Sequence, residues 1–435
     1  MPVNGVNYAT DDMSNHVKKY IIIAAAMLVC LHASASKLFI PMDADNQVNH
    51  LKAYGVAYAA LKGGMEVDWM LNYQGGSFCM DNADEIEKLC KIRGVSYEII
   101  SDARYLAMVE KIANPDFNAD IIKLEKPPKI AVYTPPGKQP WDDAVTLVLT
   151  YAEIPYDKIY DDAVLESKLP EYDWLHLHHE DFTGQYGKFW AQYQNTTWFQ
   201  EDVRNSEEMA RKHGFKKVSQ LKLAVAKRIR EFVAGGGYLF AMCSATDTYD
   251  IGLSAYATDI CDVPFDGDPA APNAQQILDY TQGFAFKDYR ISLNPYEYEF
   301  SDIDNTHFRQ VIADVDYFSL FTFSAKFDPV PTMLCQNHTT TVKGFMGQTT
   351  AFRKETLKTS VLVMGDYKPK NEARYIHGEY GKGTWTFYGG HDPEDYEHSI
   401  GDPPTDLSLH PTSPGYRLIL NNVLFPAARK KPRKT

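Results

Sequence analysis

One stretch near the middle of the chain constrains the fold more than any other. Residues 235–248 read GGGYLFAMCSATDT, which is three glycines, a short apolar run and then a cysteine among small residues. An apolar run of this length bounded by turn residues predicts a fully buried strand. A reactive side chain at a tight turn from strand to helix needs small neighbours, which Ser244 and Ala245 supply. The stretch therefore predicts an α/β core with Cys243 at the end of a central strand.

The residues before this stretch alternate between strand-like and helix-like patterns. The predicted elements are strands at 129–133, 156–160 and 172–177 and helices at 141–154 and 218–234. This succession is typical of a parallel sheet with crossover helices. Ligands of such sheets bind beyond the carboxyl ends of the strands. That rule predicts a binding edge that includes His178, His179 and Glu180.

The remainder of the chain divides by composition. A proline pair at 127–128 marks a boundary, and residues 283–370 are rich in aromatic and β-branched residues with no obvious reactive pattern. The predicted organisation is a signal peptide at 1–36, an N-terminal α/β segment at 37–126, the α/β core at 127–282, a β-rich insertion at 283–370, the C-terminal part of the core at 371–428 and a basic tail at 429–435.

The first residues have the pattern of a secretory signal. Lys18 and Lys19 precede a run of about a dozen apolar residues, and small residues follow at 33–36. The run is too short to span a bilayer, which takes about 20 residues. We therefore expect an exported protein, periplasmic or extracellular, cleaved near Ser36 and without a stable membrane span after cleavage. A buried core helix is the alternative.

Net charge and cysteine content exclude some classes of partner and of metal site. The chain has 57 acidic and 44 basic residues and a formal net charge of −13, which argues against nucleic acid as a partner. In an oxidising compartment Cys79 and Cys90 can pair, although pairing cannot be read from sequence. No Cys-x-x-Cys spacing that would indicate structural zinc occurs.

A cysteine nucleophile needs an oriented base, and the end of the chain offers one. The segment His391-Asp392-Pro393-Glu394 directly follows a predicted strand at 383–388. We expect His391 to be the base and Glu394 or Asp392 to orient it. The amide of Ser244 and the loop at Gly184 are the expected donors of an oxyanion hole. The alternative is that Cys243 is only a small buried residue.

These motifs resemble the class I glutamine amidotransferase-like superfamily. Its members have a flavodoxin-like sheet, a cysteine at the elbow and a late His-x-Glu pair, which His391 and Glu394 match with one extra residue between them. The glycine-rich strand and the segment Tyr380–Asp392 are similar to the ThuA-like branch, which commonly has histidine in place of Cys243. The likeness covers roughly residues 129–260 and 371–425, and it implies a flavodoxin-like parallel sheet with flanking helices.

The whole chain is similar to secreted Bacteroidetes proteins that are often labelled asparagine synthetase B. That label implies an amino-terminal cysteine nucleophile and an ATP-binding Ser-Gly-Gly-x-Asp-Ser loop, and the sequence contains neither. The leading expectation is therefore an exported Cys-His hydrolase or amidohydrolase that cleaves amide C–N bonds and needs no cofactor. Its substrate, a small molecule, glycan or peptide, stays open.

Three other functions fit the sequence. A non-catalytic glycan or peptide binder would use the aromatic residues between 186 and 199, including Trp190 and Trp198. A ThuA-like sugar-modifying enzyme would use histidines in place of the thiol. A metal site would draw on polar residues at the predicted edge, namely His178, His179, Glu180, Asp181, His391 and Asp392. We expect no metal, because adjacent strand residues point to opposite faces and the His-Glu-x-x-His motif is absent.

Overall fold

The structure of the protein is a computed structural model that describes residues 1–2, 36–137, 139–304, 316–395 and 399–429. The predicted signal peptide lies almost wholly outside the described residues, and so does the predicted basic tail from residue 430 onward. Among the described helices, none combines the length and the apolar character that crossing a membrane requires.

Two β-sheets organise the described chain. The first is antiparallel throughout and has the order β4-β1-β3-β2-β5. Its strands are β1 (Ser36–Ile40), β2 (Val67–Leu71), β3 (Ser77–Asp81), β4 (Glu98–Ser101) and β5 (Asp120–Leu124).

The second sheet contains the stretch that the sequence singles out. Its strands are β6 (Ile130–Tyr133), β7 (Asp157–Ile159), β8 (Trp174–Leu177), β9 (Tyr238–Met242), β10 (Tyr317–Leu320), β11 (Thr341–Lys343), β12 (Phe352–Arg353), β13 (Leu362–Tyr367), β14 (Glu372–Tyr380) and β15 (Gly383–Tyr388). Five of them pair in parallel in the order β7-β6-β8-β9-β15. Numbered along the chain this is 2-1-3-4-5, the flavodoxin-like order, so the predicted α/β fold class is confirmed.

The β-rich residues extend this same sheet. Beyond β15 the order continues through β14, β13, β10 and β11, all antiparallel, while β12 pairs with β14. The described strands of the β layer expected at 283–370 thus extend the central sheet at its edge. Antiparallel strands need only short connections, which is why several fit between β9 and β15 in sequence.

Helices cover both faces of the central sheet. The described α-helices are α1 (His50–Lys62), α2 (Asp84–Arg93), α3 (Asp102–Ala113), α4 (Ala144–Tyr151), α5 (Asp161–Leu165), α6 (Trp190–Tyr193), α7 (Thr197–Lys212), α8 (Val218–Gly235), α9 (Ala245–Ser254), α10 (Val263–Asp266), α11 (Ala274–Ile277), α12 (Pro329–Leu334) and α13 (Pro414–Leu424). Two ends matter for the site. Asp143 caps α4 by accepting a hydrogen bond from Thr146 N (2.9 Å), and α8 ends at Gly236, whose φ of +121° suits glycine.

Side chains of the parallel strands pack into two separate hydrophobic cores. These side chains alternate between the sheet's faces, as the strand period requires. In β9, Phe240 and Met242 belong to one core, and Leu239 and Ala241 to the other. The first core also takes in α1 and α13, and the buried Tyr54 hydroxyl donates to Asn421 Oδ1 (2.5 Å) between these helices. The N-terminal sheet is therefore joined to the central sheet through shared helices.

The structure also locates two further groups of residues that the sequence singles out. Cys79 and Cys90 are both free thiols, buried in different hydrophobic clusters, so the pairing considered for them does not occur. The aromatic residues between 186 and 199, which a binding protein would use, lie within or just before the helices α6 and α7. Their half-buried Trp198 packs against the rings of Trp141 and Phe189 at centroid distances of 5.6 and 5.7 Å.

The central sheet contains a buried neutral histidine that should make stability depend on pH. His377 on β14 lies opposite Thr386, and its Nδ1 is 2.9 Å from the Thr386 hydroxyl. Burial lowers the pKa of His377 to about 4. Between its ordinary pKa of 6.5 and pH 4 only the unfolded chain takes up the proton, so the free energy of unfolding falls as the pH drops through this range.

We predict that His377→Gln weakens this dependence. The wild-type slope should exceed the variant's by up to about 1.4 kcal/mol per pH unit, the value for one proton. Urea unfolding at pH 8, 6 and 5 measures the slopes, and the comparison at pH 8 isolates any packing cost of the substitution. Equal slopes for the two proteins would contradict the assignment.

Candidate active site

Cys243 occupies a strained elbow between β9 and α9. Its φ is +50°, in the left-handed region that side chains other than glycine rarely adopt. The turn is held on both sides, because Cys243 N donates to Gly390 O (3.1 Å) and Ala245 N donates to His178 O (3.0 Å). Strain of this kind persists only where the surroundings fix it, and it concentrates at functional sites. The elbow aims a buried thiol at the carboxyl edge of the parallel sheet.

His391 lies against this thiol. It follows β15, the strand next to β9, and its backbone N donates to Met346 O (2.8 Å). The imidazole hydrogen-bonds the Cys243 side chain and places Nε2 3.1 Å from Asp142 Oδ1. Burial disfavours the charged ring, but the hydrogen bonds to Asp142 and Cys243 outweigh it and raise the pKa of His391 to about 10.

The carboxylate at His391 is Asp142, which differs from the expectation. Burial acts to raise its pKa, yet the hydrogen bond and charge of His391 give a net lowering. Glu394 has other partners: it accepts from the Ser413 hydroxyl and lies 3.2 Å from His410 Nδ1. Asp392 accepts from Glu394 N (2.9 Å) and bonds the Tyr416 side chain. The extra residue after His391 lets the chain turn away, so the orienting position expected for Glu394 or Asp392 is filled from the loop before α4.

A backbone amide from the β-rich region also reaches the thiol. Gln348 N donates to Cys243 Sγ at 3.3 Å, and the Gln348 side chain donates to Gly187 O at 2.6 Å. The adjacent Gly347 packs so closely on His391 that an added Cβ would lie 2.7 Å from His391 N. The segment expected to carry no reactive pattern therefore supplies a direct contact to Cys243.

The two expected oxyanion donors lie in different places. Ser244 directly follows the thiol at the start of α9, and its hydroxyl donates to His179 O (3.1 Å). Gly184, with φ of +84°, packs on Ser219, where an added Cβ would lie 2.7 Å from the Ser219 backbone. Ser244 thus remains at the thiol, whereas Gly184 packs against α8.

Three histidines, His176, His178 and His179, lie at the end of β8 and just beyond it. His176 Nε2 and His178 Nδ1 each lie 3.4 Å from the Asp143 carboxylate. The rings of His178 and His179 stack at a centroid distance of 4.0 Å, and each ring is 4.7 Å from that of His391. The expectation that these neighbours point to opposite faces is wrong, because β8 ends at Leu177 and strand alternation ends with it. Burial lowers the pKa of His178 to about 4.

Glu180 lies behind these rings. One carboxyl oxygen accepts from His178 N (2.9 Å), and burial raises the pKa of Glu180 to about 8. Glu180 and His179 line a cleft that opens to solvent. Aromatic rings of Trp141 and Phe189 form part of its wall. Among the described histidines, His179 is the one that lines this cleft.

His178, His179 and His391 form one of the described clusters whose atoms lie close enough to hold a cation. One ring nitrogen from each of His178, His179 and His391 lies within 4.8 Å of the other two.

Sequence reasoning missed Asp142, Asp143 and Gln348. A signal for the two aspartates exists, since they stand between the first parallel strand and an apolar helical run, where an N-cap and the binding edge coincide. Both aspartates fall inside the predicted helix at 141–154, whereas the observed helix begins at Ala144. Gln348 has no such signal, because its contact depends on how the loop after β11 folds back onto Gly390.

We predict that Gly347→Ala disturbs the site, with Gly235→Ala as its matched control. An added methyl at 347 would meet the backbone of Gly390 and His391, whereas at 235 nothing lies within 4 Å. Overpacking of this kind costs about 1–3 kcal/mol, and displacement of His391 should also slow alkylation of Cys243. Chemical denaturation and iodoacetamide kinetics provide the measurements. If both variants behave alike, the close packing at Gly347 is refuted.

Comparison with known protein families and with curated proteins finds no match. Among solved structures, the chain is similar to a cytoplasmic protein from Salmonella typhimurium at 12% identity and a TM-score of 0.35, covering 69% of this chain and 100% of that one. A cytoplasmic protein from Salmonella typhimurium LT2 matches at 14% identity and a TM-score of 0.29, covering 63% and 91%. A GH42 β-galactosidase, Gan42B from G. stearothermophilus, matches at 13% identity and a TM-score of 0.28, covering 61% and 28%. These similarities are too distant to assign a family.

Proposed function

We propose that this protein is a cysteine hydrolase that cleaves amide C–N bonds, with Cys243 as nucleophile, His391 as general base and acid, and Asp142 as the residue that orients His391. The observation that carries the proposal is the hydrogen-bonded chain from a strained cysteine through a buried imidazole to a carboxylate. This is the arrangement that activates nucleophiles in unrelated hydrolases.

The chemistry follows from the roles of the three groups. The Cys243 sulfur attacks the amide carbon while His391 holds the thiol proton, and that proton passes to the departing amine as the C–N bond breaks. Water then attacks the thioester, with His391 accepting its proton, and the carboxylic acid leaves as the thiol is restored. The carbonyl oxygen becomes negative during each attack. The Ser244 amide at the start of α9 is positioned by sequence to stabilise that charge.

The cleft beside His179 supports a substrate with an apolar or sugar-like portion. Trp141 and Phe189 present ring faces or edges along its wall, and such rings recognise apolar surface and ring hydrogens. Export of the enzyme remains part of the proposal and depends on the signal-like residues at 1–36. The substrate would then be a molecule outside the cytoplasm.

We predict selective labelling of Cys243 by a chloroacetamide probe under native conditions, with peptide mapping by mass spectrometry as the readout. Cys243→Ala should abolish this adduct, whereas Cys261→Ala should leave it unchanged. The control is matched because Cys261 is also a buried free thiol, but its sulfur donates to Thr183 O and burial raises its pKa. Hydrolysis of a panel of small amides should disappear in Cys243→Ala alone.

A non-catalytic binding protein is the second candidate, and the aromatic cleft is the observation that favours it. In that case Cys243→Ala would retain affinity for a glycan or peptide, and Trp141→Ala would lose it. Amide hydrolysis that persists in Cys243→Ala would refute the proposed nucleophile directly.

We also predict that Asp142→Asn slows Cys243 alkylation by about 10- to 100-fold, because His391 loses the charge that orients it. Glu394→Gln is the matched comparison, since Glu394 bonds Ser413 and His410 instead of His391. It should change the rate by less than about twofold, because the substitution keeps the size of the side chain and alters partners other than His391. A larger effect at Glu394 than at Asp142 would reverse the assignment of the orienting carboxylate.

A further inference from the structure

We propose that His178, His179 and His391 form a binding site for Zn²⁺, with the Cys243 sulfur as a fourth ligand. One ring nitrogen from each histidine lies within 4.8 Å of the others, and the three ring centroids are separated by 4.0, 4.7 and 4.7 Å. Cys243 joins them through its hydrogen bond with His391. Three histidine nitrogens therefore lie close together, and the Cys243 sulfur lies beside one of them, at the ends of three neighbouring parallel strands.

The free nitrogen of His178 is the independent observation that points to a ligand. His178 is fully buried, and its Nδ1 faces the Asp143 carboxylate at 3.4 Å. Its Nε2 has no hydrogen-bond partner among the described residues, although it is sealed from solvent. A buried nitrogen without a partner loses the free energy of its hydrogen bond to water. A bound cation would recover that loss.

Carboxylates hold the outer nitrogens of two of the rings. Asp143 faces Nδ1 of His178, and Asp142 faces Nε2 of His391. Metal-binding histidines usually have this arrangement, in which a carboxylate fixes the orientation of the ring and increases its basicity. Nε2 of His178 is thereby left for a metal, whereas a metal at His391 would replace the proton that this ring shares with Cys243. Asp142 and Asp143 are adjacent, so one short loop orients both rings.

The ligand set selects the kind of cation. Imidazole nitrogen and thiolate sulfur suit Zn²⁺ and Co²⁺, whereas Mg²⁺ and Ca²⁺ prefer oxygen ligands. Tetrahedral Zn–N bonds of about 2.0–2.1 Å place ligand nitrogens about 3.4 Å apart. The rings of His178 and His179, whose planes are 15° apart, must rotate to close the site around the ion. His179 is half-buried and lines the cleft, which gives the ion a path from solvent.

Metal binding and nucleophilic chemistry exclude each other at this site. A bound Zn²⁺ would use the His391 nitrogen and the Cys243 sulfur that hydrolysis requires, so it would protect the thiol from alkylation. The metal site itself does not depend on the proposed function, since the histidines can bind Zn²⁺ whether or not Cys243 acts as a nucleophile.

The test uses the full chain after removal of metal with a chelator. Calorimetric titration with Zn²⁺ should show one equivalent bound with micromolar or tighter affinity, and Co²⁺ should give the intense visible bands of a tetrahedral site. His178→Ala and His179→Ala should each weaken Zn²⁺ binding by about 100-fold or more. His179→Asn serves as a second variant, because this ring is half-buried and its loss is less disruptive; thermal melting checks that each variant folds.

Cys261→Ala is the matched control. Cys261, Asp259 and Asp266 form another cluster of potential ligands, but Lys217 already pairs with both carboxylates at 2.6 and 2.9 Å. The control should bind Zn²⁺ like the wild type. Absence of Zn²⁺ binding, or binding that survives loss of His178 and His179, would overturn the inference. Alkylation of Cys243 in the same metal-free sample tests the proposed function separately, since failed alkylation with intact Zn²⁺ binding refutes only the hydrolase.

Discussion

The site depends on one backbone hydrogen bond, from Cys243 N to Gly390 O. It lies beyond the last ladder partners of β9 and β15, Met242 and Tyr388, and joins the residue one step past β9 to the residue two steps past β15. This bond places the residue after Gly390, His391, beside the thiol. His391 lies beyond the end of β15, and the bonds from Gly390 N to Thr349 O and from His391 N to Met346 O hold this segment in place. The position of the imidazole thus depends on how the chain turns just beyond the paired strands.

The polar groups of the site are held by one another inside a hydrophobic protein. Asp142 supports His391, Asp143 supports His176 and His178, and Glu180 accepts from the backbone of His178. Buried networks of this kind are stable only when most members have partners, since an isolated buried charge costs several kcal/mol. The network therefore fixes the position of each ring through its neighbours, and the removal of one carboxylate affects more than one histidine.

Sequence patterns predicted the central sheet well, and they placed Cys243 and His391 on the edge where the structure brings the two side chains together. The apolar run before Cys243 and the strands at 129–133 and 172–177 were visible because parallel strands buried on both faces read as continuous apolar segments. The partner of His391 was not visible, since it comes from a loop distant in sequence. Adjacent histidines could be assigned to opposite faces only while the strand continued, and its end at Leu177 cannot be read to the residue.

Two hydrogen bonds of Gln348 connect the thiol of Cys243 with the wall of the cleft. Its backbone amide faces Cys243 Sγ, while its side chain holds Gly187 O. Gly187 lies between Tyr186 and Lys188, and all three have positive φ, so this turn has few alternative conformations. Because Gly187 lines the cleft, the cleft wall and the thiol share Gln348 as a common contact.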